Sequence, residues 1–311
     1  VAFVAAILLA MIGVMVDVTH GATPAAAGRT DRLFGLSAAG PQRGLHDALA
    51  LSSTLGRRLD LLNVYLNWPE SFPSASLDAI QRAGVTPEIT WQPWVSEADG
   101  THRGIALKAI ASGEYDQFLR QWALSAARWK RPLLLRFAHE MNSGGLPWSA
   151  QAPGNSAQLY VAAYRHVVRV FRAAGATNVQ WIWSPNVSYR GSTPLAEVYP
   201  GAQYVDIVGL DGYNSGTDVA GSQWRSPAQV FGATLAEVSK LAPKVPVLIT
   251  ETASSAAGGS KPAWIRQLFS YMRAQPDVIG VVWFNIVSRA DWPLNDSPAD
   301  LAASRAALTD Y

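Results

Sequence analysis

Eight short runs of mostly apolar residues recur along this chain, separated by longer segments of helical character. The runs are Leu33–Ser37, Leu61–Asn67, Pro87–Trp91, Leu133–Ala138, Val179–Trp183, Val205–Leu210, Val247–Thr250 and Gly280–Phe284. A strand that reads as nearly continuous apolar sequence is buried on both faces, as in a parallel sheet covered by helices. The helical pattern is clearest between Asn155 or Ser156, both N-cap residue types, and Gly175, a C-terminal stop. There Leu159, Ala163, Val167, Val170 and Phe171 fall on one stripe. Similar patterns cover Leu77–Ala83, Glu114–Trp129, Pro227–Leu241 and Pro262–Ala274. Eight strands alternating with helices favour an α/β fold of the closed (β/α)8, or TIM barrel, kind over an open doubly wound sheet. The first run also lacks the glycine-rich turn of nucleotide-binding open sheets. With 311 residues, 49% of them hydrophobic, the chain can fill one large core without a second domain.

Several functions are excluded early. Net charge is only +2, and the basic residues are scattered. Nucleic acid is not an expected partner, because phosphate binding needs a concentrated basic patch. The absence of cysteine removes a disulfide framework, a thiolate zinc site and a thiol nucleophile. Residues 1–16 are apolar and uncharged. At about 1.5 Å per residue they span roughly 24 Å, short of a roughly 30 Å bilayer core. Ala25 and Ala27 form the small-residue pattern of a signal cleavage site. Residues 1–27 therefore read as an export signal, with an uncleaved membrane anchor as the alternative, and residues 28–311 as the barrel domain. The expected location is extracellular.

In a barrel of this kind, function collects where strands end. The ends here include Ser37, Trp68, Trp91–Trp94, His139–Asn142, Ser184–Asn186, Asp211–Tyr213, Glu251 and Trp283–Asn285, a set rich in aromatic, carboxylate and amide groups. Two apolar runs close in a glutamate, Glu140 after the fourth and Glu251 after the seventh. Those strands face each other across the mouth. Glycoside hydrolysis needs such a carboxyl pair flanking one bond. Alternation predicts Arg136, Ala138 and Glu140 on one face of their strand, and Val247, Ile249 and Glu251 on one face of theirs. Arg136 can then hold negative charge inside the barrel or, alternatively, satisfy core carbonyls.

Arg136-Phe137-Ala138-His139-Glu140-Met141-Asn142, the Glu251-Thr252 strand end and Ala111-Ser112-Gly113-Glu114-Tyr115-Asp116 resemble glycoside hydrolase family 26. The similarity runs from residue 30 to about residue 300 and includes Asp291-Trp292-Pro293. His139 stands where most of the wider clan of retaining barrel glycosidases has asparagine. The resemblance implies that Glu140 is the acid/base and Glu251 the nucleophile, with Tyr213 hydrogen-bonded to the nucleophile and Asp211 two residues earlier on the same face. It implies His139, Asn142, Trp148, Asp211, Tyr213, Trp283 and Trp292 at the sugar, with Trp283 the platform beneath the reacting ring and its peptide to Phe284 cis, and Arg136 in support. Trp68, Trp91, Trp94 and Trp183 are weaker candidates, for which packing is at least as good an account. His46, His102 and His166 receive no role.

Two positions depart from the family. Gly145 stands where many members carry tryptophan, with Trp148 the substitute from further along the loop. Phe284 stands where mannan-cleaving members often carry arginine. The expectation is an exported, endo-acting, retaining glycosidase with no metal and no cofactor, acting on a polysaccharide. β-1,4-Mannan comes first and β-1,3-1,4-glucan close behind. The alternatives are a carbohydrate-binding barrel without catalysis and, more weakly, a wall-attached structural protein.

Overall fold

Each of the eight apolar runs forms a parallel strand. In the computed structural model, which describes residues 32–311 except 39, 289 and 310, they are β1 (Leu33–Ala38), β2 (Leu61–Asn67), β3 (Thr86–Gln92), β6 (Leu133–Phe137), β7 (Val179–Trp183), β8 (Ile207–Asn214), β9 (Val247–Ser254) and β10 (Val278–Phe284). They close into a barrel in chain order, with β10 pairing back onto β1. A short antiparallel hairpin, β4 (Trp94–Ser96) and β5 (His102–Gly104), follows β3 and went unread in the sequence. Residues 1–27, with the expected export signal, lie outside the described residues. No helix among the described residues is long and apolar enough to cross a membrane.

The helices cover the outside of the barrel. That of Ala157–Ala173 starts where Ser156 accepts a hydrogen bond from the Leu159 N–H at 3.1 Å, as an N-cap should. Its buried stripe runs through Tyr160, Ala163, Tyr164, Val167 and Phe171, so Leu159 lies at its margin. Between strands and helices, Trp91 stacks on Trp122 (4.3 Å between ring centroids) and on Trp68 (4.8 Å). Trp68, Trp91 and Trp183 are core packing.

The interior has two levels. Leu61, Leu134, Ile182, Ile207, Leu248 and Val282 form an apolar floor. Further along the same strands the inward positions turn polar: Asn63, Thr90, Arg136, Ser184, Asp211 and Thr250 are all fully buried. Backbone space is tight here. A Cβ on Gly209 would meet Ser184 Oγ and Thr250 Oγ1 at 2.7 Å each, so glycine keeps room for the polar level.

Candidate active site

β6 ends at Phe137, and Ala138 (φ 51°) and Glu140 (φ 52°) both take the left-handed conformation. Such backbone costs roughly 1–3 kcal/mol per non-glycine residue and persists only where surroundings impose it. Here the Ala138 N–H is bonded to the Trp91 carbonyl (3.1 Å) and the Glu140 N–H to the Ser184 carbonyl (2.7 Å), so the turn is held by strands on either side. The direction of Glu140 thus comes from this turn and not from strand alternation. Its side chain is half-buried and accepts a hydrogen bond from Asn186 Nδ2 at 2.8 Å. Asn142 holds Asn186 in turn, accepting from its N–H and donating to its carbonyl, each at 2.9 Å.

Alternation fails at β9 as well. Val247 and Ile249 face the helices while Leu248 faces the floor, opposite to the expected arrangement. The pairing with β8 steps from Leu210↔Ile249 to Asp211↔Glu251, skipping Thr250. A bulge of this kind re-aims side chains. Thr250 donates to Asp211 Oδ1 at 2.7 Å, and Glu251 reaches the same buried cluster. Glu251 Oε1 accepts from Tyr65 (2.6 Å) and from Arg136 Nη2, and Oε2 accepts from Tyr213 (2.6 Å).

Arg136 organises the polar level. Its Nη1 donates to both oxygens of Asp211 (2.8 and 2.9 Å), and its Nε and Nη2 donate to Thr90 Oγ1 (2.9 and 2.7 Å). Its partners are carboxylates and hydroxyls, not core carbonyls. Thr90 passes the network on to Asn63 (2.7 Å), and Asn63 to Ser37 (3.1 Å). Burial alone would push Glu251 upward. Arg136 and the two tyrosine donors outweigh it and hold the carboxyl at about 2. Burial also raises Asp211, with Arg136 pulling the other way, so ionisation of the pair falls first on Glu251. Burial and the adjacent Glu251 charge push Tyr65 and Tyr213 well above the usual tyrosine range, so both remain donors. Burial lowers His139 to about 3, with Arg136 adding to it, and the ring is neutral near pH 7.

One oxygen from each of Glu140, Asp211 and Glu251 lies within 4.8 Å of the others. Glu140 and Glu251 thus meet across the mouth with an oxygen pair no more than 4.8 Å apart, too close to leave the roughly 6.5–9.5 Å that an inverting pair of carboxyls keeps for water.

Residues 80–275 match the family model for glycosyl hydrolase family 26. The chain belongs to that family. It is 36% identical over 265 residues to Endoglucanase H of Acetivibrio thermocellus, covering 81% of this chain and 28% of that protein. It is 38% identical over 87 residues to mannan endo-1,4-β-mannosidase A and B of Caldalkalibacillus mannanilyticus, covering 26% of this chain and 16% of that protein. The chain thus spans under a third of the length of either. Among solved structures, the catalytic domain of an endo-β-1,4-mannanase from Bacillus sp. JAMB-750 superposes with a TM-score of 0.66 at 20% identity, covering 91% of this chain and 87% of that one. That likeness is one of fold.

Against this family 26 frame, several expected sugar contacts are placed elsewhere. Trp283 is fully buried, packs edge-on against Trp264 (6.0 Å) and donates to the Trp292 carbonyl (2.9 Å). It shares the outward phase of Val281, whereas Val282 belongs to the floor and Phe284 turns toward Tyr65 and Tyr213. The half-buried Phe284 fills the mouth, edge-on to Tyr65 (6.4 Å) and Tyr213 (5.8 Å). The Trp283–Phe284 peptide is trans, not cis, as the several-kcal/mol cost of a cis bond outside proline favours. Trp148 is buried with its ring against His139 and its Nε1 bonded to the His139 carbonyl (2.6 Å), so it props that loop and offers no face to solvent. Asn142 and Asp211 are likewise fully buried and act through Asn186 and Arg136. Trp292 backs Tyr213 at 5.3 Å. Of the weaker candidates, Trp94 alone is half-buried, stacked on the exposed His102 at 4.1 Å. Sequence reasoning missed Tyr65, although Asn63, Tyr65 and Asn67 are three alternate polar or amphipathic residues in an apolar strand.

Proposed function

We propose that this chain is a catalytic domain that hydrolyses a β-linked hexopyranose polysaccharide from within, by double displacement with retention. The observation that carries this reading is the Glu140–Glu251 pair within 4.8 Å, with the second held ionised and the first open to the mouth. In the first step a Glu251 oxygen bonds to the anomeric carbon as the bond to the leaving oxygen breaks, and Glu140 gives that oxygen its proton. In the second, Glu140 takes a proton from water, which attacks the same carbon and frees Glu251. Tyr65, Tyr213 and Arg136 keep the nucleophile ionised and fixed. His139, neutral and lined up edge-on with Tyr65 (6.4 Å), supports the wall.

A mannan-type backbone is the first reading, supported by the family and by the mannosidase relatives. A β-glucan backbone is the second, favoured by the much longer match to an endoglucanase and by Phe284 at the mouth. Hydrolysis of mannan, lichenan and xylan, with the anomeric form of the first product followed by NMR, tests both. Retained products from mannan or lichenan are expected. Inverted products would end the double-displacement reading, and binding without cleavage would favour the carbohydrate-binding alternative. Export, supported by the leader pattern of residues 1–27, is tested by N-terminal sequencing of protein from the culture medium.

A further inference from the structure

Beneath Arg136 lies an acid that the reaction as written does not use. Glu88 on β3 is fully buried, and neither carboxyl oxygen has a hydrogen-bond partner among the described residues. Its Oε1 lies 3.6 Å from Arg136 Nε, close enough for charge to act without a hydrogen bond. On the neighbouring strands it pairs with Asn63 and Leu134, which carry no charge. The charged and titratable groups that face it are Arg136 from β6 and Glu251 from β9, with Asp211 from β8 and Tyr65 from β2 across the guanidinium and Glu140 beyond Asp211. An unsatisfied buried carboxyl is costly as an anion, so a structural role alone gives no reason to prefer it to an amide or an apolar side chain.

We propose that Glu88 is a positioning residue that acts through Arg136: it holds its proton more tightly while Glu251 is ionised, and becomes the guanidinium's replacement anion when Glu251 is neutralised by bonding to the sugar. The proposal rests on the reading of Glu251 as nucleophile. In the free protein Arg136 already faces Asp211 and Glu251, and a third buried negative charge is repelled. Burial first, and the Glu251 charge in addition, raise Glu88 to about 7, with Arg136 opposing. Once Glu251 is an ester its charge is gone, the repulsion with it, and Arg136 Nη2 has lost an anionic partner. Glu88 then releases its proton to solvent and takes it back when water restores the Glu251 carboxylate. Linkage makes the effect reciprocal: if ester formation favours ionised Glu88, ionised Glu88 favours ester formation.

The test compares the wild-type protein with Glu88→Gln and Glu88→Met on an aryl β-glycoside whose leaving group needs no proton, which takes Glu140 out of the first step. The ratio of wild-type to variant kcat/KM is expected to rise about threefold to tenfold between about pH 5.5 and pH 9, equally for both variants. A ratio that stays constant with pH overturns the proposal. Thermal unfolding gives an arm independent of activity. An acid whose folded value is raised stabilises at low pH and loses that contribution as pH climbs through it. The Tm of the wild type is therefore expected to fall relative to either variant between about pH 5 and pH 8. A constant Tm difference would show that Glu88 does not titrate there and is equally fatal. If the wild-type protein cleaves no aryl glycoside at all, the glycosidase reading fails and this proposal goes with it. A constant ratio with intact turnover sinks only the role of Glu88.

Discussion

Glu251, within β9, and Glu140, on the turn after β6, are the same residue type in opposite settings. Glu251 is buried, takes hydrogen bonds from Tyr65, Arg136 and Tyr213, and is held at about 2. Glu140 is half-buried, stands on a left-handed turn and takes a hydrogen bond from an asparagine that is itself held by another. A group that must stay ionised and attack from one place benefits from dense, charged, rigid contacts. A group that must lose and regain a proton each cycle needs access to solvent. The surroundings of the two carboxyls thus differ in the way the two roles proposed for them require.

The comparison breaks first at Glu251, the proposed nucleophile. Glu251→Ala is expected to lower kcat on polysaccharide by roughly 10⁵-fold or more, and added azide should restore turnover with inversion of the product. Glu140→Gln is expected to cost about 10²–10⁴ on polysaccharide and far less on an aryl glycoside with a good leaving group. Equal losses on both substrates would reverse or void the assignment. Tyr213→Phe removes one of the donors to Glu251 and is expected to cost about tenfold or more in kcat/KM. Its sharper readout is pH. Glu251 must be ionised, the lost donor raises its value from about 2, and the acid limb of kcat/KM should move upward. An acid limb that does not move would mean that Tyr213 merely packs. The smallest effect is expected from Asn142→Ala, which loosens Asn186 and through it Glu140. A loss of several-fold on polysaccharide and almost none on the activated substrate is the expected pattern. A stronger effect on the activated substrate would tie Asn142 to the nucleophile instead.

Much of this was legible in the linear sequence. The eight apolar runs foretold all eight barrel strands, because strands buried on both faces show it in their composition. Tyr213 was found through family resemblance and stands where that implied, 2.6 Å from Glu251. Strict alternation fails on β6 and β9 close to the site. On β9 the bulge at Thr250 reversed the phase, and on β6 the left-handed residues Ala138 and Glu140 replaced it. The family resemblance implied Trp283 and Trp148 at the sugar, but a side chain's phase and burial decide whether it has a free face, and both are fully buried. Glu88 and Thr90 drew no notice, since a polar residue inside a strand has meaning only with its neighbours across the barrel.

What the sequence determined by itself was the fold and the two glutamates that follow apolar runs on facing strands. Those follow from local composition and periodicity, which need no knowledge of distant contacts. Only the tertiary structure decided that Arg136 serves Asp211 and Glu251 at once, that Phe284 rather than Trp283 occupies the mouth, and that Glu88 lies orphaned beneath the guanidinium. The reason is physical. Electrostatic partners in a closed barrel come from strands scores of residues apart, and their distances are fixed by closure and bulges rather than by any local pattern.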